Sequence, residues 1–169
     1  MSEDVEQAFS AMVTHLRNDD RIGDRVGIWG NSMGGTLAAL AAAHDQRISA
    51  CCINGGSIRP AEILDRYPRF VAKIEGLFGL DDPESASAAM ERLNLDGRLE
   101  NTRCPLHVVH GTPDRIFLIE NARAIYDGAA SEDKTFTEFP DGDHCIYNHS
   151  HEKNCLTADW FVERLDRAV

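Results

Sequence analysis

The sequence predicts an α/β domain of about four parallel strands flanked by helices, with a helical lid segment inserted at residues 58–103. Three observations carry this reading. Short apolar runs, several of them ending at glycine, alternate with runs of helical length. Such alternation needs crossover connections, which give a parallel sheet with helices on both faces. The one long interruption, 58–103, mixes charged and aromatic residues at helical spacing and contains no strand-like run. With 169 residues the chain is long enough for a single domain, 1–169, with a real core.

Taken in order, Val5, Phe9, Met12, Val13 and Leu16 recur at helical spacing and predict an amphipathic helix over 3–18. "NDDRIGD" is a turn, and "RVGIW" (25–29) is a short buried strand ending at glycine. "MGGTLAALAAAH" (33–44) is apolar on almost every side, so it is a helix covered on both flanks. "RISACCIN" (47–54) is a second buried strand, stopped by Gly55 and Gly56. Within 58–103, Ile63, Tyr67, Phe70, Val71, Ile74, Leu77 and Phe78 fit a helical period. A further helix is capped by Asp82, has Pro83 in its first turn and runs to about Leu93. "PLHVVHG" (105–111) and "DKTFTEFP" (133–140) are the third and fourth strands, with a helix at 118–129 between them. Leu156, Trp160, Phe161 and Leu165 place a closing helix at 157–169.

Composition narrows the function classes. A net charge of −11 leaves no basic footprint for nucleic acid and would be repelled by an anionic membrane surface. No apolar run approaches the roughly 20 residues needed to span a bilayer. The acidic start "MSEDVEQAFS" lacks the basic-then-apolar order of a signal peptide, so a cytoplasmic location is expected. Cys51, Cys52, Cys104, Cys145 and Cys155 are odd in number and form no C-x-x-C, which suits free thiols.

The stretch that points to chemistry is Gly30-Asn31-Ser32-Met33-Gly34, a G-x-S-x-G between a buried strand and a helix. A sharp turn there needs glycines where a Cβ would clash, and Gly30 and Gly34 fill those places. Ser32 then stands at a helix N-terminus, where the Met33 N–H can stabilise an oxyanion. A serine hydroxyl attacks only when a base removes its proton, and the base needs an orienting acid. In this motif class the chain order is serine, acid, histidine. Asp114 lies just beyond the third strand in "HGTPD", and His144 just beyond the fourth in "PDGDHC". All three fall on loops at one edge of a parallel sheet, where such sites assemble.

Other assignments fare less well. Asp143 adjoins His144, so its side chain diverges from the imidazole; it and Asp141 read as turn residues. His110 reads as a packed or hydrogen-bonded histidine, with His107 on the opposite face of the strand. The spacing of His144, Cys145, His149 and His151 fits no standard zinc pattern, so no metal is expected. Cys51 and Cys52 read as core.

The strand–"GNSMGG"–helix unit, followed by "HGTPD" and "GDHCIYN", resembles the α/β-hydrolase superfamily, whose C-terminal portion the chain spans over roughly residues 3–169. "DHCIYN" followed by "TADWFVERL" is similar to the branch of dienelactone-hydrolase-like and fermentation/respiration-switch-type esterases. It is also similar to the dihydropseudooxynicotine and fungal polyketide-shortening hydrolases. The resemblance implies Ser32 as nucleophile, Asp114 as acid, His144 as base and Met33 N–H as one oxyanion donor, with no cofactor. It implies hydrolysis of an ester or an activated C–C bond beside a carbonyl in a small-molecule acyl substrate. Acyl transfer by the same triad, or a non-catalytic binding module on the same fold, are the alternatives.

The sequence departs from the family pattern in two places. "RIFL" follows Asp114 where the family usually continues toward valine-proline. The strands that precede the nucleophile strand in the family fold, and the second oxyanion donor, have no counterpart. "RVGIW" is therefore expected at a sheet edge, in a homo-oligomer or in part of a longer chain. Apolar lid residues such as Tyr67, Phe70, Phe78 and Met90 are candidates to line an acyl pocket or, equally, to pack the lid on the sheet.

Overall fold

The computed structural model describes residues 5–166. Its element order is α1 (Val5–Arg17), β1 (Val26–Asn31), α2 (Met33–His44), β2 (Ile48–Asn54), α3 (Glu62–Arg66), α4 (Val71–Phe78) and α5 (Pro83–Glu91). Then follow β3 (Leu106–Gly111), α6 (Ile119–Gly128), β4 (Lys134–Phe139) and α7 (Ser150–Leu165). Short 3-10 turns occupy Pro68–Phe70, Leu99–Asn101 and His144–His149. The four strands form one sheet in the order β1-β2-β3-β4, and every neighbouring pair is parallel. This is the partial α/β-hydrolase fold, with β1 on one edge as expected and β4 on the other.

Side-chain alternation along β2 splits the core into two layers. Cys51 faces α2, its Sγ reaching the Ala38 carbonyl, and belongs with Leu40, Ile53, Leu106, Val108 and Ile125 in the larger cluster. Cys52 faces the other way and packs with Val109, Phe139, Ile146 and Phe161 under α7. Helix α2 has no polar face because it is covered all round, with Ala38 to Ala42 at most 2% exposed.

Most elements lie where the sequence puts them, and each difference has a physical cause. Met12 is 58% exposed and off the buried stripe of α1, which runs through Val5, Phe9, Val13 and Leu16 at spacings of four and three. β1 continues past Trp29 because Gly30 and Asn31 still pair with Ile53 and Asn54. Helix α5 is capped as expected, with Asp82 Oδ1 accepting from the Ser85 N–H at 2.8 Å and Pro83 in the first turn. The closing helix begins at Ser150, seven residues before the predicted Thr157, and residues 167–169 lie outside the described residues. The early start is hidden in the sequence because its inward face is polar: Lys153 and Thr157 are buried along with Trp160.

The insertion at 58–103 divides in two. Ala86, Ala89, Met90, Leu93, Leu95 and Leu99 are all nearly inaccessible and continue the main core. Met90 is therefore core and not pocket wall. The α3–α4 part joins the same core through Ile63, Leu64 and Ile74, and it also rises over the end of the sheet beside Ser32 and His144.

Truncation of Leu95, which is fully buried, should cost about 2–5 kcal/mol through lost burial and a residual cavity. Met12→Ala on the exposed side of α1 should stay within about 0.5 kcal/mol. Urea unfolding of the two variants checks the contrast.

Candidate active site

The site is built at the C-terminal ends of β1, β3 and β4. At the first of these the chain leaves β1, turns and enters α2 within two residues. A Cβ on Gly30 would stand 1.9 Å from the Gly34 carbonyl oxygen, so only glycine admits this close backbone approach. The same is not true of Gly34, around which a Cβ would meet nothing within 4 Å. The expectation that both motif glycines are sterically required is thus corrected: the tight position is Gly30. Ser32 itself is held at φ 56° and ψ −126°, with its N–H donated to the Asn54 carbonyl at 2.8 Å. Met33 follows as the first residue of α2, where the helix cannot satisfy its own first N–H groups.

At the end of β3, Asp114 is 3% exposed. Its Oδ1 accepts from the N–H groups of Ile116 (2.8 Å) and Phe117 (3.3 Å), which fixes the carboxylate plane. At the end of β4 the "PDGD" turn rests directly on β3, since a Cβ on Gly111 would lie 2.0 Å from the Gly142 carbonyl oxygen. That contact brings the Asp114 and His144 loops together. His144 Nδ1 lies 2.8 Å from Asp114 Oδ2, and its Nε2 lies 2.7 Å from Ser32 Oγ. A carboxylate only accepts, so Nδ1 carries the proton; in the neutral ring Nε2 is free to accept from the serine hydroxyl.

The other candidates stand apart from this chain of hydrogen bonds. Asp143 caps the 3-10 turn after it by accepting from the Tyr147 N–H, and Asp141 faces His149. His110 is wholly buried, donates from Nε2 to the Phe117 carbonyl at 3.0 Å and stands 3.7 Å from Asp114 Oδ2. His107 faces the other side, against Thr137 and the Trp160 ring.

Burial opposes a charge on His144, but the Asp114 carboxylate and contact with Cys145 outweigh it, and the ring is raised to about 9. His110, further from the same carboxylate, goes the other way: burial dominates and lowers it. Burial likewise lowers His107 to about 4.

Beside Ser32 and His144 opens a cavity of about 280 Å³. Its walls are Met33 from α2, Ile63, Phe70, Ile74 and Leu77 from the insertion, and Ile116 and Phe117 from the Asp114 loop. Of the apolar lid residues singled out in the sequence, Phe70 lines it. Tyr67 instead turns its hydroxyl to the Arg115 carbonyl at 3.0 Å, and Phe78 packs on the core. The contribution of Ile116 and Phe117 has no signal in the sequence beyond the unusual "RIFL" after Asp114.

Over residues 3–167 the chain matches the prolyl oligopeptidase family. It belongs to that family. It is 27% identical over 170 residues to 2,6-dihydropseudooxynicotine hydrolase of Paenarthrobacter nicotinovorans, a match covering 96% of this chain and 44% of the relative. It is also 27% identical over 201 residues to a monoacylglycerol lipase of Mycolicibacterium smegmatis, covering 98% of this chain and 71% of that one. The solved structure of 2,6-dihydroxy-pseudo-oxynicotine hydrolase superimposes with a TM-score of 0.86 at 25% identity, over 97% of this chain and 47% of that one. The chain thus spans less than half the length of that hydrolase.

In this prolyl oligopeptidase-family chain, the raised His144 makes stability depend on pH. Below pH 6.5 the ring is protonated folded or unfolded, and its pairing with Asp114 contributes fully to stability. That contribution is lost as pH rises through about 9. NMR titration of the His144 ring should give a midpoint well above the ordinary value of 6.5, and Asp114→Asn should bring it down. A midpoint at or below 6.5 in the unaltered protein would contradict the pairing.

Proposed function

We propose that the chain carries the reactive half of a serine hydrolase that cleaves an ester, or an activated C–C bond beside a carbonyl, through an acyl-enzyme. The observation that carries this reading is the unbroken chain Ser32 Oγ–His144 Nε2 (2.7 Å) and His144 Nδ1–Asp114 Oδ2 (2.8 Å) at the mouth of an apolar cavity. Two relatives named as a hydrolase and a lipase support it.

Neutral His144 takes the Ser32 proton as Oγ attacks the substrate carbonyl carbon. The negative charge that develops on the carbonyl oxygen is met by the Met33 N–H at the head of α2, one donor of the oxyanion site. Asp114 holds the ring in the one tautomer that leaves Nε2 free and stabilises the imidazolium that forms. The imidazolium then protonates the leaving group, and the acyl group stays on Ser32. His144 next draws a proton from water, which attacks the acyl–Ser32 ester, and returns that proton to Ser32 Oγ as the acid leaves.

The cavity selects the acyl part. Apart from Ser32 and His144 its walls are apolar, so it offers nothing to a charged group and favours an apolar acid. Four of those walls, Ile63, Phe70, Ile74 and Leu77, come from the insertion, so we assign α3–α4 the part of a lid over the acyl site.

Activated esters of increasing acyl length test this. From acetate to butyrate, kcat/KM should rise on the order of tenfold, since each methylene that leaves water contributes about 0.8 kcal/mol. Ser32→Ala should abolish turnover, and Asp114→Asn should lower it roughly 10⁴-fold. Turnover that survives Ser32→Ala, or that falls with acyl length, would refute the assignment.

A further inference from the structure

Asn54, the last residue of β2, is fully buried and joins both arms of the site. Its backbone carbonyl accepts the Ser32 N–H at 2.8 Å. Its side-chain Nδ2 donates to the Cys145 carbonyl at 2.9 Å and to Asn31 Oδ1 at 2.8 Å. The two backbones it reaches are the strained ones. Ser32, Cys145 and Ile146 are the non-glycine residues with positive φ among those described, at 56°, 61° and 58°. For a β-branched residue such as Ile146 that conformation is an outlier, and it persists only if neighbours hold it. Lys153, itself buried, reaches the same Cys145 carbonyl from the other side at 3.5 Å.

The amide has a cost that fold stability alone does not explain. Asn54 Oδ1 is buried with no partner, and an unsatisfied buried acceptor costs about 1–3 kcal/mol. An apolar side chain at this place would carry no such cost. What it would lack is the donor to the Cys145 carbonyl, one peptide beyond the His144 ring.

We propose that Asn54 is a positioning residue that fixes the separation of the Ser32 turn and the His144 loop, holding Ser32 Oγ within reach of His144 Nε2. The proposal rests on reading Ser32 and His144 as the reacting pair. Its carbonyl anchors the serine, and its amide anchors the histidine.

The test compares the full chain with Asn54→Ala, Asn54→Asp and, as a destabilised control, Asp45→Ala. The last breaks the Asp45–Arg47 ion pair at the far end of α2. Three quantities are measured: the rate of Ser32 phosphonylation by a fluorophosphonate, the NMR titration midpoint of His144, and the unfolding temperature. The titratable groups facing that ring are Asp114, His110 and Cys145; none of the variants alters them, and Asn54→Asp adds a carboxylate beside the His144 loop. Both Asn54 variants should slow phosphonylation ten- to a hundredfold, the scale of a misplacement of about 1 Å. Asn54→Ala should also lower the His144 midpoint, by loosening the ring from Asp114; in Asn54→Asp the added carboxylate would itself raise a nearby histidine, so that variant is read by its labelling rate. Asn54→Asp should be the slower, because it sets an acceptor against the Cys145 carbonyl. Asp45→Ala should lower the unfolding temperature alone. Wild-type labelling rates in both Asn54 variants, with an unchanged midpoint in Asn54→Ala, would overturn the proposal, whatever their stability. If the unaltered chain takes no label, the reading of Ser32 as nucleophile fails, and the His144 midpoint in Asn54→Ala alone decides the role of Asn54.

Discussion

Ser32 is held at φ 56°, where the Cβ of an L-residue crowds its own backbone at a cost of about 1–3 kcal/mol. The head of the sheet is organised to meet that cost. The Ser32 N–H is bound by the Asn54 carbonyl, and the Ser32 carbonyl accepts from the Gly35 N–H to start α2. Gly30 gives up its side chain so that the Gly34 carbonyl can occupy the space. The turn lifts Oγ clear of the sheet and points the first N–H groups of α2 at the same region. Because the strands are parallel, the ends of β3 and β4 open on that edge too, and the remaining partners need only short loops to reach it.

Burial then sorts the charges. Asp114 lies out of solvent, yet two backbone N–H groups and the His144 ring satisfy its oxygens, so its charge is paired and not stranded. Two histidines share its neighbourhood with opposite outcomes. His144, in direct contact with the carboxylate, gains affinity for a proton; His110, at 3.7 Å and tied to the Phe117 carbonyl, loses it. The loop from 114 to 117 therefore has three tasks: its amides orient the Asp114 carboxylate, its Phe117 carbonyl holds His110, and its side chains wall the cavity.

Much of this was legible in the sequence wherever the signal is local. The short motifs around Ser32, Asp114 and His144, the limits of α2 and the Asp82 cap are each read from neighbours a few residues apart. What was not legible depends on contacts between distant segments. Lys153 and Thr157 disguise the inward face of α7, because a buried lysine breaks the apolar pattern by which such faces are recognised. Met90 and Phe70 share the same aromatic and aliphatic insertion, but only the tertiary packing sends one to the core and the other to the cavity. Gly34 fits the motif as well as Gly30 does, and only the backbone path distinguishes them. Asn54 reads as the polar end of a buried strand; its link to Cys145 spans 91 residues.

The central claim is that Ser32 is acylated with His144 as its base. Acid-quenched intact mass spectrometry with an activated butyrate ester, followed by peptide mapping, tests it most directly. The account predicts one butyryl group per chain, on Ser32, forming faster as pH rises toward 9 and absent from His144→Ala. Acylation at another residue, or at Ser32 with equal speed in His144→Ala, would contradict it.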